Sequence, residues 1–590
     1  MPNITVRSYS TQAFERLNKS GLPPILARIY AARGIESPTQ LETELSRLIP
    51  FGQLKNITLM ATTLADAIAA KKRLLIIADY DSDGATACAV GIRILRKFGA
   101  TVDYLVPNRF EYGYGLTPEI VKFAHATKQP DILITVDNGI ASIEGVLEAN
   151  QLGMQVLVTD HHLPGDQLPD AAAIINPNQP GCNFPSKNVA GVGVIFYLML
   201  ALRAELRKRG AFAATGKEPN LASLLDLVAL GTVADVVKLD DNNRILVQQG
   251  LRRIRKGLGC AGINALLQVA RRDYRQTSTY DLGFMLGPRL NAAGRLDDMA
   301  LGIACLITDD EAQATQMAHA LDQLNRKRRE IEADMQDDAL RMLDNVFKSH
   351  DTQAEAQTSY SLCLFDSNWH QGVIGILASR IKEKFHRPTI TFAPGNGDEI
   401  KGSGRSIPGF HIRDALDLVS KHHPGLILKF GGHAAAAGLS IHRTNFDKFC
   451  NAFERVAQTL LAPGDLTRTI ETDGELDTAD INLELAHNLT HQVWGQGFPQ
   501  PTFNTYFYVE SQRIVGEKHL KLKLKKTASD NCQSVQNSAD LFDAILFFHN
   551  DPLPKFISAV YQLQVNEFNG NTTLQLLLEH WSEPDRQDGA

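Results

Sequence analysis

Hydrophobic and polar positions divide the chain into regions of different period. Between residues 70 and 240, short apolar runs alternate with stretches whose apolar residues recur at helical spacing. The runs Leu74–Ala78, Thr101–Val106, Ile132–Val136, Met154–Thr159 and Ala172–Ile175 predict strands, with helices after the first, second, third and fifth. Alternation of this kind predicts a parallel sheet covered on both faces. Residues 240–310 read as mixed and mostly helical. Thr308–Phe347 contains neither Gly nor Pro and predicts one long helix between domains, with Thr308 as N-cap and Glu311 three residues on. A second α/β region follows, with "SLCLFD" and "RPTITFA" strand-like and "VIGILASRIKEKF" helical. From 468 to 582 the period falls to two. "KHLKLKLKK", "FISAVYQLQV" and "TTLQLLLEHW" predict the strands of a small antiparallel barrel of the OB type. Residues 1–50 read as helical, and the polar stretch Thr527–Asp540 as an exposed loop. The expected division is a helical lead-in (1–50), an α/β catalytic domain (51–307), a long connecting helix (308–347), a second α/β domain (348–465) and an OB-like domain (466–590).

Composition narrows the class. The chain has 590 residues, 44% hydrophobic and 21% charged, with a formal net charge of −6. These are ordinary values for a globular protein, and global charge does not announce a nucleic-acid binder. The cysteines number 7, form no C-x-x-C and argue against a disulfide framework or a thiolate zinc site. "MPNITVRSYS" lacks the layout of a signal peptide. The longest apolar run, Val189–Leu202, is about 14 residues, short of the about 20 that a membrane span requires, and reads as a buried helix. A cytoplasmic enzyme with no membrane contact is expected.

The chemistry is concentrated where strands end. "ADYDSDGATA" places Asp79, Asp81 and Asp83 at alternate positions before a glycine. As a calcium hand this fails, because the twelfth position is Val90 rather than Glu and the entry "RLLIIA" is a strand. In an open α/β sheet the loop lies at the carboxyl end of its strand, where ligands bind. "DILITVDNG" ends its apolar run in Asp137, "MQVLVTDHH" in Asp160, His161 and His162, and "LLDLVALGTVADVV" delivers Asp235. An Asp after one strand is ordinarily a cap or turn. Four such segments in sequence form a set. Carboxylates with one or two imidazoles suit magnesium or manganese. That many acids near one point repel one another without cations. Two divalent ions neutralise them and form the arrangement used in phosphoester hydrolysis.

"DYDSDG", "VDNG", "TDHH" and "GTVAD", in this order and spacing, resemble the four motifs of the DHH phosphoesterase superfamily. "GSGRS" (Gly402–Ser406) and "GGHAAAAG" (Gly431–Gly438) resemble its associated substrate-binding domain. With the long helix and the β-rich tail, the whole chain is similar to the bacterial single-strand-specific DNA exonucleases of that superfamily. The resemblance implies Asp81, Asp83, Asp137, His161 and Asp235 as metal ligands, with Asp137 bridging two ions of Mg2+ or Mn2+. It leaves open whether Asp79 ligates or orients Asp81. Asp160 holds the turn or hydrogen-bonds His161, and His162 faces the scissile phosphate. Ser403 and Arg405, projecting from a Gly-flanked turn, are expected to bind a terminal phosphate, with His433, Arg109 and Arg289 as further substrate contacts. Tyr112 and Tyr114 either stack on bases or pack within their loop.

Basic clusters stand out in this acidic chain: "RRIRKG" (252–257), "RRDYR" (271–275), "NRKRR" (325–329) and "KLKLKK" (521–526). In the last, Lys521, Lys523 and Lys525 share one face of a strand, either as a solvated edge or as a track for a phosphate backbone. The implied activity is degradation of single-stranded DNA from the 5′ end to mononucleotides, in recombination and mismatch repair. A single-strand-binding protein and a helicase are the expected partners of a monomeric enzyme. A phosphodiesterase of the same superfamily acting on short oligoribonucleotides or cyclic dinucleotides is the alternative chemistry. A non-catalytic nucleic-acid scaffold is the alternative class, and would predict lost carboxylates.

Overall fold

The computed structural model describes residues 2–108, 112–213, 216–349, 359–516, 518–527, 540–568 and 570–584. Its strands, in chain order, are β1 (Asn3–Val6), β2 (Arg73–Ala78), β3 (Thr101–Leu105), β4 (Ile132–Val136), β5 (Gln155–Thr159), β6 (Ala173–Ile175), β7 (Leu362–Phe365), β8 (Thr389–Pro394), β9 (Glu399–Arg405), β10 (Lys429–Gly432), β11 (Ala436–His442), β12 (Thr469–Thr472), β13 (Phe503–Val515), β14 (His519–Thr527), β15 (Phe542–Phe547), β16 (Phe556–Phe568) and β17 (Asn571–Ser582). The chain divides into two compact units. One holds most of residues 5–321 together with 471–590; the other holds residues 322–470 with short pieces of the remainder.

In the first unit, β2 to β6 form a parallel sheet in the order β3-β2-β4-β5-β6. The chain leaves β2 for β3 on one side and then returns to place β4 on the other. The topological switch point therefore falls between β2 and β4, at their carboxyl ends. Registers align those ends. Ala78 pairs with Val136, Val136 with Thr159, and Thr159 with Ile175. The next residues are Asp79, Asp137, Asp160 and Asn176. Apolar side chains of β2, β4 and β5 pack against the helices Pro118–Lys128 and Ile143–Gln151 through Leu75, Leu133, Val156, Ile120 and Val146. The run read as a buried helix is one, Gly191–Lys208.

The carboxyl-terminal strands close into a barrel, β13-β14-β15-β17-β16, antiparallel except for the β15–β17 pair. Period two is realised directly: Leu520, Leu522 and Leu524 are buried inside it. The residues expected as a separate helical lead-in begin with the strand β1, continue as the helices Thr11–Lys19 and Pro24–Ala31, and then run through short 3-10 turns. They are tied to the barrel segment by a buried ion cluster. Arg33 donates to both oxygens of Asp473 at 2.7 and 3.0 Å, and Arg7 adds a contact at 3.2 Å. Asp473 also accepts from the Thr502 amide. The polypeptide between sheet and barrel is pinned by the Leu239 amide, which donates to the Gln496 carbonyl.

The second unit carries a mixed sheet, β10-β11-β9-β8-β7, in which only β7 and β8 run parallel. Phe392, Phe449, Phe453 and Ile412 build its core with the helices Ile412–His422 and Phe446–Leu460. The long helix spans Glu311–Ser349. Its cap is Asp310, whose Oδ1 accepts from the amides of Ala312 and Gln313, and not Thr308, which ends the preceding helix. From Met335 onward it packs on Trp369 and Leu377. The polar stretch read as an exposed loop lies, at 528–539, outside the described residues. Among the described residues no helix is long and apolar enough to cross a membrane.

Removal of one partner from a buried ion cluster leaves charge uncompensated, at about 3–5 kcal/mol. Asp473→Ala, which strands Arg33 and Arg7, is expected to lower the free energy of unfolding by that order and so to lower the denaturant midpoint of the full chain. Asp473→Asn, which keeps the shape and some of the hydrogen bonds, should cost less. Equal midpoints for Asp473→Ala and the parent would contradict the assignment.

Candidate metal centre

The loop after β2 is shaped by its own aspartates. Asp81 caps the helix Ser82–Lys97, its Oδ1 accepting from the amides of Asp83 and Gly84 at 2.9 and 3.0 Å. Asp83, in the first turn, is fully buried. Its carboxylate accepts from the amides of Gly191 and Val192 at 2.6 and 2.9 Å, the positive end of the helix Gly191–Lys208. Asn291 Oδ1 accepts from both the amide and the hydroxyl of Ser82, fixing the loop from behind. Asp137 follows β4 in the left-handed region, at φ 62°. The Gly191 backbone lies so close to it that a Cβ there would sit 2.6 Å from the Asp137 side chain.

After β5 the two histidines both turn toward the acids. His161 Nε2 lies 3.0 Å from Asp137 Oδ1, 3.5 Å from Asp235 Oδ2 and 3.9 Å from Asp83 Oδ2. His162 Nδ1 lies 4.0 Å from Asp137 Oδ1 and 2.7 Å from Asp160 Oδ1. The ring that Asp160 holds is therefore that of His162; His161 gives it only a backbone amide, and Asp160 Oδ2 takes the Ile140 amide. Asn176 and Asn178 bind the carbonyls of His162 and His161. Asp235 caps the helix Leu225–Ala234 at its C-terminus, and Val236 after it adopts φ 62°, an outlier for a β-branched residue. Tyr114 stands at the rim with its hydroxyl 3.4 Å from the Asp137 carbonyl and from the His162 ring.

The electrostatics are those of uncompensated charge. Burial, and then Asp81, push the Asp83 carboxyl up to about 7 against the two amides that oppose the shift. Burial followed by the neighbouring carboxylates raises Asp137 and Asp235 well above the usual range. Burial pulls the His162 imidazole down, but Asp160 outweighs it and lifts the ring to about 9. Burial acts to raise Asp160, but the bond from His162 overcomes it and the carboxyl falls below its usual value. Asp137 Oδ1 is buried and accepts no well-directed hydrogen bond, although His161 Nε2 lies 3.0 Å from it. Ligand atoms fall into three groups, each within 4.8 Å: Asp79, Asp81 and Asp137; Asp137, His161 and His162; and Asp83, His161 and Asp235. A buried carboxylate shared by two groups of carboxylate and imidazole donors fits divalent cations such as magnesium or manganese.

The other expected contacts lie elsewhere. Ser403 and Arg405 are on the strand β9, not on a turn. The glycines of "GSGRS" are there for packing: a Cβ at Gly402 would strike Phe392 and Leu439, and one at Gly404 would strike Ile412. Residues two apart share a face, so Arg405 donates to Ser403 Oγ at 3.2 Å. Both reach the first turn of the helix Ile374–Phe385, where a Cβ at Gly375 would meet each at 2.9 Å. His433 lies in the tight β10–β11 turn, its amide donating to the Ala436 carbonyl. Arg289 is largely buried and donates to the Met285 carbonyl. Arg109 lies outside the described residues. Tyr112 packs on the core beside Phe123, in keeping with the loop-packing alternative. On β14, Lys523 pairs with Asp543 at 2.9 Å and Lys525 with Glu510 at 3.2 Å; Lys521 has no ion pair among the described residues.

Comparison with known proteins follows the same division. The model of the DHH family, N-terminal domain, matches residues 73–232, that of the DHHA1 domain 357–459, and that of the RecJ OB domain 472–580. "Single-stranded-DNA-specific exonuclease RecJ" of Dickeya dadantii (strain 3937) is 50% identical over 95% of this chain and 96% of its own. The chain belongs to the RecJ family. The RecJ of Escherichia coli (strain K12) is 48% identical over the same shares. Crystal structures of RecJ from Thermus thermophilus, one in complex with Mn2+ and one with Mg2+, superpose with TM-scores of 0.80 and 0.74. Their identities are 27% and 25%, and they cover 99% of this chain and 80% and 79% of theirs. That RecJ structures hold these two ions agrees with the donor set here.

The Asn residues behind the site and Gly191 were missed from sequence. "INPN" directly after a strand was the available signal for Asn176 and Asn178; Gly191 offered only "AGVGV". Residues that orient metal ligands are worth about 10–100-fold in metal affinity. Gly191→Ala, which drives a methyl into Asp137, is expected to weaken Mn2+ binding by that factor in calorimetry. Unchanged affinity would show that Asp137 is not held there by close packing.

Proposed function

We propose that this chain is a metal-dependent exonuclease that degrades single-stranded DNA from its 5′ end to mononucleotides. The observation that carries the reading is the double use of Asp137. Its carboxylate belongs both to the Asp79–Asp81 group and to the His161–His162 group, so that it would be within reach of an ion held by either. Divalent ions held side by side generate a nucleophile from water and stabilise the leaving sugar oxygen of an in-line displacement. Asp81, Asp83, Asp137, His161 and Asp235 hold them, and Asp79 completes the first group. His162, whose ring is held by Asp160 through Nδ1, faces the scissile phosphate. Asp160 itself is saturated by hydrogen bonds and acts by orienting that ring.

Recognition of an end falls to the second unit. Ser403 and Arg405, side by side against the first turn of the helix Ile374–Phe385, form a phosphate-type contact, and this supports a 5′-phosphate. His433 and Arg289 are further substrate contacts. Residues 51–307 carry the chemistry, 348–465 the terminal phosphate, and 466–590 the trailing strand, with the long helix of 308–347 between the first two. On the barrel, Lys521 contributes more to the phosphate backbone than Lys523 and Lys525, whose partners already neutralise them. Tyr114 closes the site from above. The setting is recombinational and mismatch repair in the cytoplasm, on strands opened by a helicase and coated by a single-strand-binding protein, with the enzyme a monomer.

Single-stranded DNA labelled at the 5′ or the 3′ end tests the reading. With Mn2+ or Mg2+ the 5′ label should appear at once as mononucleotide, and Asp81→Ala should abolish its release. Arg405→Ala should slow release about 10-fold or more on 5′-phosphorylated strands and much less on 5′-hydroxyl strands. Early loss of the 3′ label, or cleavage of short RNA or cyclic dinucleotides in place of DNA, would overturn the substrate and the polarity.

A further inference from the structure

The segment Asp281–Leu286 is a π-helix, a geometry that is rare and recurs at functional sites. Its start is fixed by Asp281, buried and bound by Arg272 and by the amide and hydroxyl of Ser278. One face packs on the helix Leu225–Ala234. A Cβ at Gly283 would come within 3.3 Å of Val233, and one at Gly287 within 3.2 Å of Ala234. Ala234 directly precedes Asp235. The π-helix is thus seated against the last turn before a metal-site carboxylate.

Its other face is aromatic and bare. Phe284 is 68% exposed and Tyr280 49%, their rings stacked with centroids 5.0 Å apart and planes 27° from parallel. Val236, which follows Asp235, is 62% exposed and held at a positive φ, so that an apolar side chain is presented to solvent at backbone cost. The basic run "RRDYR" leads into this segment, and its Arg271 is exposed with no ion pair among the described residues. Exposed flat rings match the way single strands are bound without sequence preference, in which successive bases stack on aromatic faces. A protein-docking face would account for the apolar surface, but not for its seating against the turn that leads into Asp235.

We propose that Tyr280 and Phe284 form a stacking platform for a base of the single strand beside the metal centre. This rests on the nuclease reading above and adds a positioning device to it. Stacking acts on every base alike, which lets the strand advance one nucleotide at a time without sequence preference. It adds no chemical step.

The test is equilibrium binding in EDTA, where no turnover occurs. A fluorescent 5′-phosphorylated oligonucleotide is compared with a series carrying one abasic site at successive positions from the 5′ end. For the parent chain, one position or two adjacent ones should raise Kd by about five- to a hundred-fold. Tyr280→Ala/Phe284→Ala should weaken the intact strand by a similar factor, with no further loss from the abasic site, since the two changes remove the same contact. Phe284→Trp, which keeps a ring, should restore the abasic sensitivity. A flat scan on a chain that binds and digests single strands would overturn the platform alone, as would losses that add. Failure of the parent both to bind single strands in EDTA and to digest them with Mn2+ would overturn the nuclease reading and the platform with it.

Discussion

Carboxylates gathered beyond reach of water repel one another, and the rest of the site is arranged around that repulsion. Two unit charges 4 Å apart interact by about 4 kcal/mol at an effective dielectric of 20. Here several aspartates converge where β2, β4 and β5 end, and four of them, Asp79, Asp83, Asp137 and Asp160, are buried. The protein offsets only part of this. Helix amides clasp Asp83, and His162 with the Ile140 amide satisfies Asp160. Asp137 keeps a buried oxygen that accepts no well-directed hydrogen bond, with only the His161 ring beside it. What the polypeptide leaves unmet is what a pair of divalent cations supplies.

The fold is built to make that concentration tolerable. Aligned strand registers bring the residue after each strand to one line, and the switch point opens the sheet edge there. Glycine at 191 admits a helix N-terminus close enough to donate to Asp83 while passing the Asp137 side chain. Left-handed backbone at Asp137 and Val236 is the residual strain, located on both sides of the same site. The barrel and the amino-terminal helices share a compact unit with this sheet through Asp473 and the Leu239–Gln496 hydrogen bond.

The strands of the parallel sheet and the acids that follow them were legible because both signals are local: an apolar run of fixed length, then a change of residue type. The barrel was legible for the same reason, through period two. Contacts between distant residues were not. "GSGRS" has the composition of a turn, yet its glycines face Phe392, Leu439 and Ile412, which no neighbouring residue announces. Lys523 and Lys525 read as free cations because Asp543 and Glu510 lie on other strands. Thr308 fits a cap by type, but Asp310 stands where the helix turns. Of the two readings open for Asp160, holding the turn agrees with its bonds from the amides of Ile140, His161 and His162, while the ring it meets is that of His162, which only the turn after β5 decides. Tyr280 and Phe284 have the spacing of ordinary core residues, and nothing in sequence shows that their face is bare.

The central claim is that Asp137 joins two metal positions into one centre. Mn2+ titration followed by electron paramagnetic resonance tests it most directly, because two ions bridged by a carboxylate are magnetically coupled and isolated ions are not. The account predicts two Mn2+ per chain with a coupled spectrum, and loss of the coupling in Asp137→Asn. A single Mn2+ per chain, or two uncoupled ions in the parent protein, would contradict it.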